Sequence, residues 1–135
     1  MVVGDISTGT ELAVIGAGPG GYVAAIRAAQ RGLDTTLIER DAYGGTCLNY
    51  GCIPSKAFIH GSSLAWETEH AEELGIHADP AVDMAQMQSW KSDVVDKLTG
   101  GVERLCKANG VNLMEGTAKF TDDTTLRVEH DGDGQ

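Results

Sequence analysis

A short apolar run, Glu11-Leu-Ala-Val-Ile15, passes without a spacer into Gly16-Ala-Gly-Pro-Gly-Gly21, and an alanine-rich stretch, 22–31, follows at once. A buried strand that enters a glycine turn and opens a helix reads as the first half of a βαβ unit. The helix is expected to stop at Gly32, a residue type that tolerates positive φ beyond a helix end. Thr35-Thr-Leu-Ile-Glu39 then reads as a second, β-branched strand, parallel to the first across a right-handed crossover.

A lone Gly-x-Gly-x-x-Gly is a weak signal in a chain with 18 glycines. Here Gly16, Gly18 and Gly21 sit between strand and helix, and Glu39 closes the next strand about 20 residues on, which completes a dinucleotide-binding pattern. Each glycine has its own job: Gly16 for the tight turn, Gly18 for close approach of a pyrophosphate, Gly21 for close packing of helix on strand. Amides at the helix start would face the phosphates, with the helix dipole in their favour. Glu39 can accept from ribose hydroxyls and would repel a 2′-phosphate, so the expected dinucleotide is FAD or NAD rather than NADP. A packing turn in an unrelated α/β protein is the competing explanation.

Beyond the second strand, Pro54 is expected to begin a helix with body 55–74 and Gly75 as its stop, weakened at Gly61. A second long helix is expected from Asp83, an N-cap with Gln86 three residues on, to Asn109-Gly110. Met87, Trp90, Val94, Leu98, Val102 and Leu105 form its apolar stripe, and Gly100-Gly101 is expected to kink or narrow it. Segments 111–115, 118–120 and 125–130 then read as a small antiparallel meander, followed by a turn sequence, Asp131-Gly-Asp-Gly-Gln135, with no strand after it. The expected fold is thus α/β and Rossmann-like, with a parallel βαβ start and an antiparallel meander, incomplete at its C-terminal side.

The chain has 20 acidic and 10 basic residues, a net charge of -10, which repels nucleic-acid phosphates and anionic lipid and argues against both as partners. Glu67, Glu69, Glu72, Glu73, Asp122, Asp123, Asp131 and Asp133 read as solvated faces, and the acid excess suits solubility at high salt. No apolar run approaches a membrane span and no signal segment is legible in residues 1–10, so a cytoplasmic location is expected. An odd and small number of cysteines, 3, speaks against a secreted disulfide scaffold. Cys106 reads as buried packing.

Cys47-Leu-Asn-Tyr-Gly-Cys52 carries the chemistry. No second Cys or His pair stands at ligand spacing, so no metal site is expected. In a regular helix residues five apart lie about 8.7 Å from each other, beyond the roughly 7 Å that a disulfide spans, so pairing of these two cysteines would require a distorted segment. Gly51 and Pro54 favour such a distortion, and a strained bond is easier to reduce. Cys52 would lie near a helix start with Lys56 one turn on, a setting that stabilises a thiolate.

Gly44-Gly-Thr-Cys-Leu-Asn-Tyr-Gly-Cys-Ile-Pro-Ser-Lys-Ala57, taken with the glycine fingerprint and Glu39, resembles the pyridine nucleotide-disulfide oxidoreductases, and among them the members that oxidise dihydrolipoamide. Trp90-Lys91, Leu98-Thr-Gly-Gly-Val102 and Gly116-Thr-Ala-Lys-Phe120 carry the likeness along nearly the whole chain. Glutathione and mercuric reductases are similar around the cysteines but usually carry Val where Leu48 and Ile53 stand. The resemblance implies a Cys47–Cys52 redox disulfide, with Cys47 meeting substrate and Cys52 facing a bound FAD. It implies Lys56 beside the reactive flavin nitrogen, Gly44, Gly45 and Thr46 near the FAD phosphates, and Ala118 against the adenine. Residues 1–135 would then be the N-terminal part of an FAD-binding domain. The NAD-binding domain and a dimerisation domain with a His–Glu acid/base pair would lie outside this chain, since His60, His70, His77 and His130 stand in no such pairing. The implied partners are a lipoyl domain of a 2-oxoacid dehydrogenase complex or free dihydrolipoamide, NAD as co-substrate, and a second copy in a homodimer. A noncatalytic nucleotide-binding module with an inert disulfide is the alternative from a different class.

Overall fold

Residues 7–130 are described by a computed structural model. The apolar run forms β1 (Leu12–Ile15), and the chain turns at Gly16, φ 94°, into α1 (Pro19–Gln30). Pro19 opens that helix where a missing N–H costs nothing. The helix therefore starts three residues before the expected Tyr22, because Pro19 and the N-cap Gly18 outweigh the poor propensity of Gly20 and Gly21. Gly32, φ 89°, closes it as expected, with its N–H donating to Ala29 O at 2.9 Å and that of Leu33 to Ala28 O at 3.2 Å. β2 (Thr35–Glu39) then lies parallel to β1, with Leu12 opposite Thr35 and Ile15 opposite Ile38. Thr35, Thr36, Leu37 and Ile38 are all buried, as the middle strand of a covered parallel sheet requires.

The largest correction concerns segment 111–115. It forms β3 (Asn112–Glu115), which pairs parallel with β2, Thr36 opposite Asn112 and Glu39 opposite Glu115, and so is not the first strand of an antiparallel meander. The antiparallel part is a two-stranded hairpin of β4 (Thr117–Asp122) and β5 (Thr125–Glu129). Asp122 is more than a solvated acid: its carboxylate accepts from Thr124 N at 2.9 Å and Thr124 Oγ1 at 3.3 Å, closing the turn, and these hydrogen bonds hold its pKa down. Glu67, Glu69, Glu72, Glu73 and Asp123 are exposed as expected. Asp131, Asp133 and the turn sequence 131–135 lie outside the described residues.

The connection between β2 and β3 is mostly helical. It comprises α2 (Gly45–Asn49), α3 (Cys52–Glu69), a 3-10 turn (Glu72–Leu74) and α4 (Met84–Ala108). α3 begins two residues before Pro54, which occupies the first turn, and it ends at Glu69 rather than running to Leu74. Gly75, φ 79°, terminates the 3-10 turn instead. A Cβ on Gly61 would fall 3.0 Å from Met87 Cε, so this glycine marks the close approach of α3 and α4. α4 is unbroken through Gly100-Gly101. Its N-cap is as expected: Asp83 Oδ1 accepts from Gln86 N at 3.0 Å. Asp83→Ala is expected to cost about 1 kcal/mol, read as a lower urea midpoint with an unchanged slope.

The apolar stripe expected on α4 divides in two. Val102 is buried and Met87 and Val94 are half-buried, but Trp90, Leu98 and Leu105 are 42%, 41% and 55% exposed. The buried side is completed by Val95 and Cys106. Cys106 is wholly buried, in one cluster with Ala17, Ala25, Leu37, Tyr43, Leu48, Val102 and Val111, which is the packing role expected of it.

Tyr43 in that cluster has a hydroxyl with no hydrogen-bond partner among the described residues. Burial first, then Glu115 and Glu103, push its pKa from 10.0 to about 12. The shift is upward, so the stability it contributes is fully present below pH 10 and is lost as pH rises through about 12. An ultraviolet titration is expected to show one tyrosinate forming near 12 as the fold loosens. Tyr43→Phe should remove that alkaline loss without lowering stability near neutral pH, because the ring stays and only an unpartnered hydroxyl leaves.

A glycine cradle joined to a thiol pair

The C-terminal ends of β1, β2 and β3 lie at one edge of the sheet, where α/β proteins hold their ligands. Two glycine turns meet there. In the first, a Cβ on Gly21 would overlap the carbonyl oxygen of Gly16, so only glycine lets α1 pack this closely on the end of β1. Gly18 differs: a Cβ there would meet nothing within 4 Å. Its backbone borders open space at the start of α1, whose first-turn amides have no partner within the helix.

The second turn is Gly44-Gly45, with φ of 93° and 60°. Gly44 N donates to Ala17 O at 2.8 Å, and a Cβ on Gly45 would lie 2.7 Å from Gly18 Cα. The two turns are therefore in backbone contact, and Gly44 and Gly45 fall beside Gly18. Thr46, next along α2, is exposed.

Glu39 fastens β2 to the same place. Its Oε2 accepts from Ala17 N at 2.6 Å, and its Oε1 from Arg40 N at 2.8 Å and Asp41 N at 3.0 Å. A carboxylate has about four lone-pair sites, so capacity is left for one hydroxyl donor beyond these three amides. Its structural duty is one that sequence reasoning missed; an acid at a strand end gives no sign of which amides it will meet. Gly116, φ 141°, donates its N–H to Glu39 O at 2.8 Å and so brings the start of β4, with Ala118, beside the end of β2. An open glycine backbone, first-turn amides and a carboxylate with one free lone pair are what a pyrophosphate with an adjoining ribose requires. These residues fit the FAD that the sequence suggests.

The thiols stand where α2 gives way to α3. Cys47 belongs to α2, a five-residue helix that was not anticipated, and Cys52 is the first residue of α3. Gly51, φ -123° and ψ -102°, makes the break between them, so the expected distortion of the segment takes the form of two helices. Both cysteines are free thiols; Cys47 is half-buried against the core and Cys52 exposed. A hydrogen bond with Cys52 is the main cause that pushes the Cys47 thiol up, with burial second, while the nearby charge of Lys56 opposes the shift. Lys56 is itself exposed in the first turns of α3.

Two further side chains act at this break. Ser55 Oγ lies 2.8 Å from Gly51 O and 3.2 Å from Cys52 O, and Asn49 Nδ2 donates to Tyr43 O at 3.1 Å and Gly45 O at 3.0 Å. The histidines lie elsewhere: His70 stacks on Trp66 with ring centres 4.4 Å apart, and His60 is 6.2 Å from Trp90. No three His, Cys, Asp or Glu among the described residues come together as a metal-binding group. A groove of about 540 Å³ along α3 and α4, lined by Leu64, Met87 and Trp90 among others, includes no residue of the glycine turns or the thiol pair.

The sequence profile of the family described as pyridine nucleotide-disulphide oxidoreductase matches residues 10–134. Dihydrolipoyl dehydrogenase of Haloferax volcanii is 75% identical over 135 residues, which is 100% of this chain and 28% of that protein. The enzyme of the same name from Halobacterium salinarum is 72% identical, with the same coverage, and that from Geobacillus stearothermophilus is 55% identical over 129 residues, 95% of this chain and 27% of that one. Among solved structures, the HOCl-induced flavoprotein disulfide reductase RclA from Escherichia coli, as its Cu(II) complex, matches with a TM-score of 0.72 and 27% identity. That match covers 87% of this chain and 24% of RclA. The chain thus spans 28% of the length of the first two relatives.

Proposed function

As the chain belongs to the pyridine nucleotide-disulphide oxidoreductase family, we propose that it is the N-terminal part of the FAD-binding domain of an enzyme that oxidises dihydrolipoamide with NAD+. The observation that carries the reading is the continuity of the site: α2 starts on the glycine turn that touches Gly18 and bears Cys47, and across the break at Gly51 the next helix begins with Cys52. Cradle and thiols are thus joined through one short helix.

In the proposed cycle a thiolate of dihydrolipoamide attacks Sγ of Cys47 in the Cys47–Cys52 disulfide, and Cys52 leaves as thiolate. The second substrate thiol displaces Cys47 and closes lipoamide, so two electrons and two protons leave the substrate and the pair becomes a dithiol. FAD, when bound, supplies a two-electron acceptor between the thiols and NAD+. Gly18, Gly44, Gly45 and Thr46 would hold its pyrophosphate, Glu39 its ribose and Ala118 its adenine edge. Lys56 would place a cation near the flavin ring, where it favours the reduced form. Partners in this reading are the lipoyl domain of a 2-oxoacid dehydrogenase complex or free dihydrolipoamide, and a second copy that completes the site with its acid/base pair. A cytoplasmic setting suits the scarcity of cysteine. No described helix is long and apolar enough to cross a membrane.

The test uses the full-length protein with dihydrolipoamide and NAD+, followed by NADH absorbance. Turnover with this pair, and none with glutathione disulfide or Hg(II) plus NADPH, is expected. Turnover with either of the latter instead would move the protein to another member activity, and absence of flavin would favour the noncatalytic module. The 1–135 chain alone is expected to give no NADH.

A further inference from the structure

We infer that Asn49 is a positioning residue that holds the redox thiols together and in register with the cofactor cradle, an inference that rests on the function proposed above. α2 has only 5 residues, too few to hold a helix by itself. Its start is fixed from outside, by Gly44 N on Ala17 O, by Gly45 N on Ala42 O at 3.0 Å, and by the contact of Gly45 with Gly18. Its end carries Cys47 and then runs into the break at Gly51. Asn49 is the last residue of α2, and its side-chain amide reaches back to Tyr43 O and Gly45 O, the carbonyls on either side of Gly44. Both hydrogens of the amide are used. Both partners are carbonyl oxygens, which only a donor can face, so the chemistry fixes which way the amide points.

Each side of the break thus has its own clamp. Ser55 ties Gly51 O to α3. Asn49 ties the end of α2 to the glycine turn. With both in place Cys47 stays against the break, where a Cβ on Gly51 would lie 3.6 Å from Cys47 Cα, and so beside Cys52, which raises the effective concentration of one thiol at the other and favours the disulfide. Without Asn49 the Cys47 side loosens and the equilibrium moves toward the dithiol. Asn49→Asp is isosteric but sets a carboxylate against two carbonyl oxygens; protonated, it recovers one donor.

The test measures the dithiol–disulfide equilibrium of the full-length, FAD-loaded protein in redox buffers, with the thiol state of Cys47 and Cys52 read by differential alkylation and mass spectrometry. Flavin absorbance gives FAD content in the same samples. Asn49→Ala is expected to shift the equilibrium toward dithiol about tenfold or more, roughly 30 mV more oxidising, with FAD content unchanged. Asn49→Asp, which sets an ionised carboxylate against the two carbonyl oxygens, should shift it further at about pH 7.5, against wild type at the same pH. Equilibria within about twofold of wild type for both variants, or a shift seen only together with loss of FAD, would overturn the assignment. Failure of the underlying function would look different: wild type itself would form no Cys47–Cys52 bond or hold no flavin.

Discussion

Cys47→Ser and Cys52→Ser are each expected to lower dihydrolipoamide-dependent NAD+ reduction by the full-length protein by roughly a thousandfold or more, the scale on which loss of an attacking group acts. Their spectra should part. With Cys47 gone, Cys52 cannot be locked in a disulfide, and the long-wavelength absorbance of a thiolate lying against flavin is expected before any reductant is added. With Cys52 gone, that absorbance is expected to be absent even after two-electron reduction. Cys52 is the first residue of α3, where the helix N-terminus favours a negative charge, which suits Cys52 as the thiolate. Cys52 is exposed in this chain and Cys47 half-buried, so the assignment requires bound FAD to cover the open side of Cys52. The opposite spectral pattern would exchange the two roles.

Gly21→Ala and Gly18→Ala are expected to fail in different ways although both lie in one glycine motif. At Gly21 the new methyl overlaps the carbonyl oxygen of Gly16, a backbone atom that cannot swing aside. Either α1 moves off β1 or the turn opens, and a loss of about 4 kcal/mol or more is expected, seen as failure to accumulate folded protein. At Gly18 the added Cβ meets nothing within 4 Å, and φ of -69° with ψ of -179° suits any L-residue. Stability should change by less than about 1 kcal/mol. The methyl would, however, fill the space proposed for the pyrophosphate, and FAD affinity is expected to fall about tenfold or more. Thermal unfolding of the apoprotein together with flavin titration separates the cases. A Gly18→Ala protein that binds FAD like wild type would remove that turn from the cofactor site.

The βαβ start was legible because strand, glycine turn, helix and strand follow one another within residues 12–39, and each leaves a local mark. The parallel pairing of β3 was not. A four-residue strand carries the same alternation whether its neighbour runs with it or against it, and its neighbour, β2, lies some seventy residues earlier in the chain. α2 was hidden for a related reason: five residues that begin at left-handed Gly45, behind left-handed Gly44, have no helical periodicity, and the helix exists because Asn49 and the contact with Gly18 hold its two ends. The stripe on α4 was read too wide, since spacing reveals apolar positions but not how much of the helix its neighbours cover, and Trp90, Leu98 and Leu105 lie on the uncovered side. In the site, residue types with one dominant chemistry were legible: the two thiols, Lys56 and the glycines. Glu39 and Asn49 were harder, because a carboxylate or an amide is used according to which backbone groups the fold brings to it.

The central claim is that Cys47 and Cys52 form a disulfide that substrate opens. Differential alkylation of the full-length, air-oxidised holoprotein under native conditions, before and after one equivalent of dihydrolipoamide, tests it directly. Before substrate neither Cys47 nor Cys52 should be labelled, after it Cys47 should be while bound flavin shields Cys52, and buried Cys106 should stay unlabelled throughout. Labelling of Cys47 and Cys52 in the oxidised protein, or a bond between them that dihydrolipoamide leaves intact, would contradict the claim.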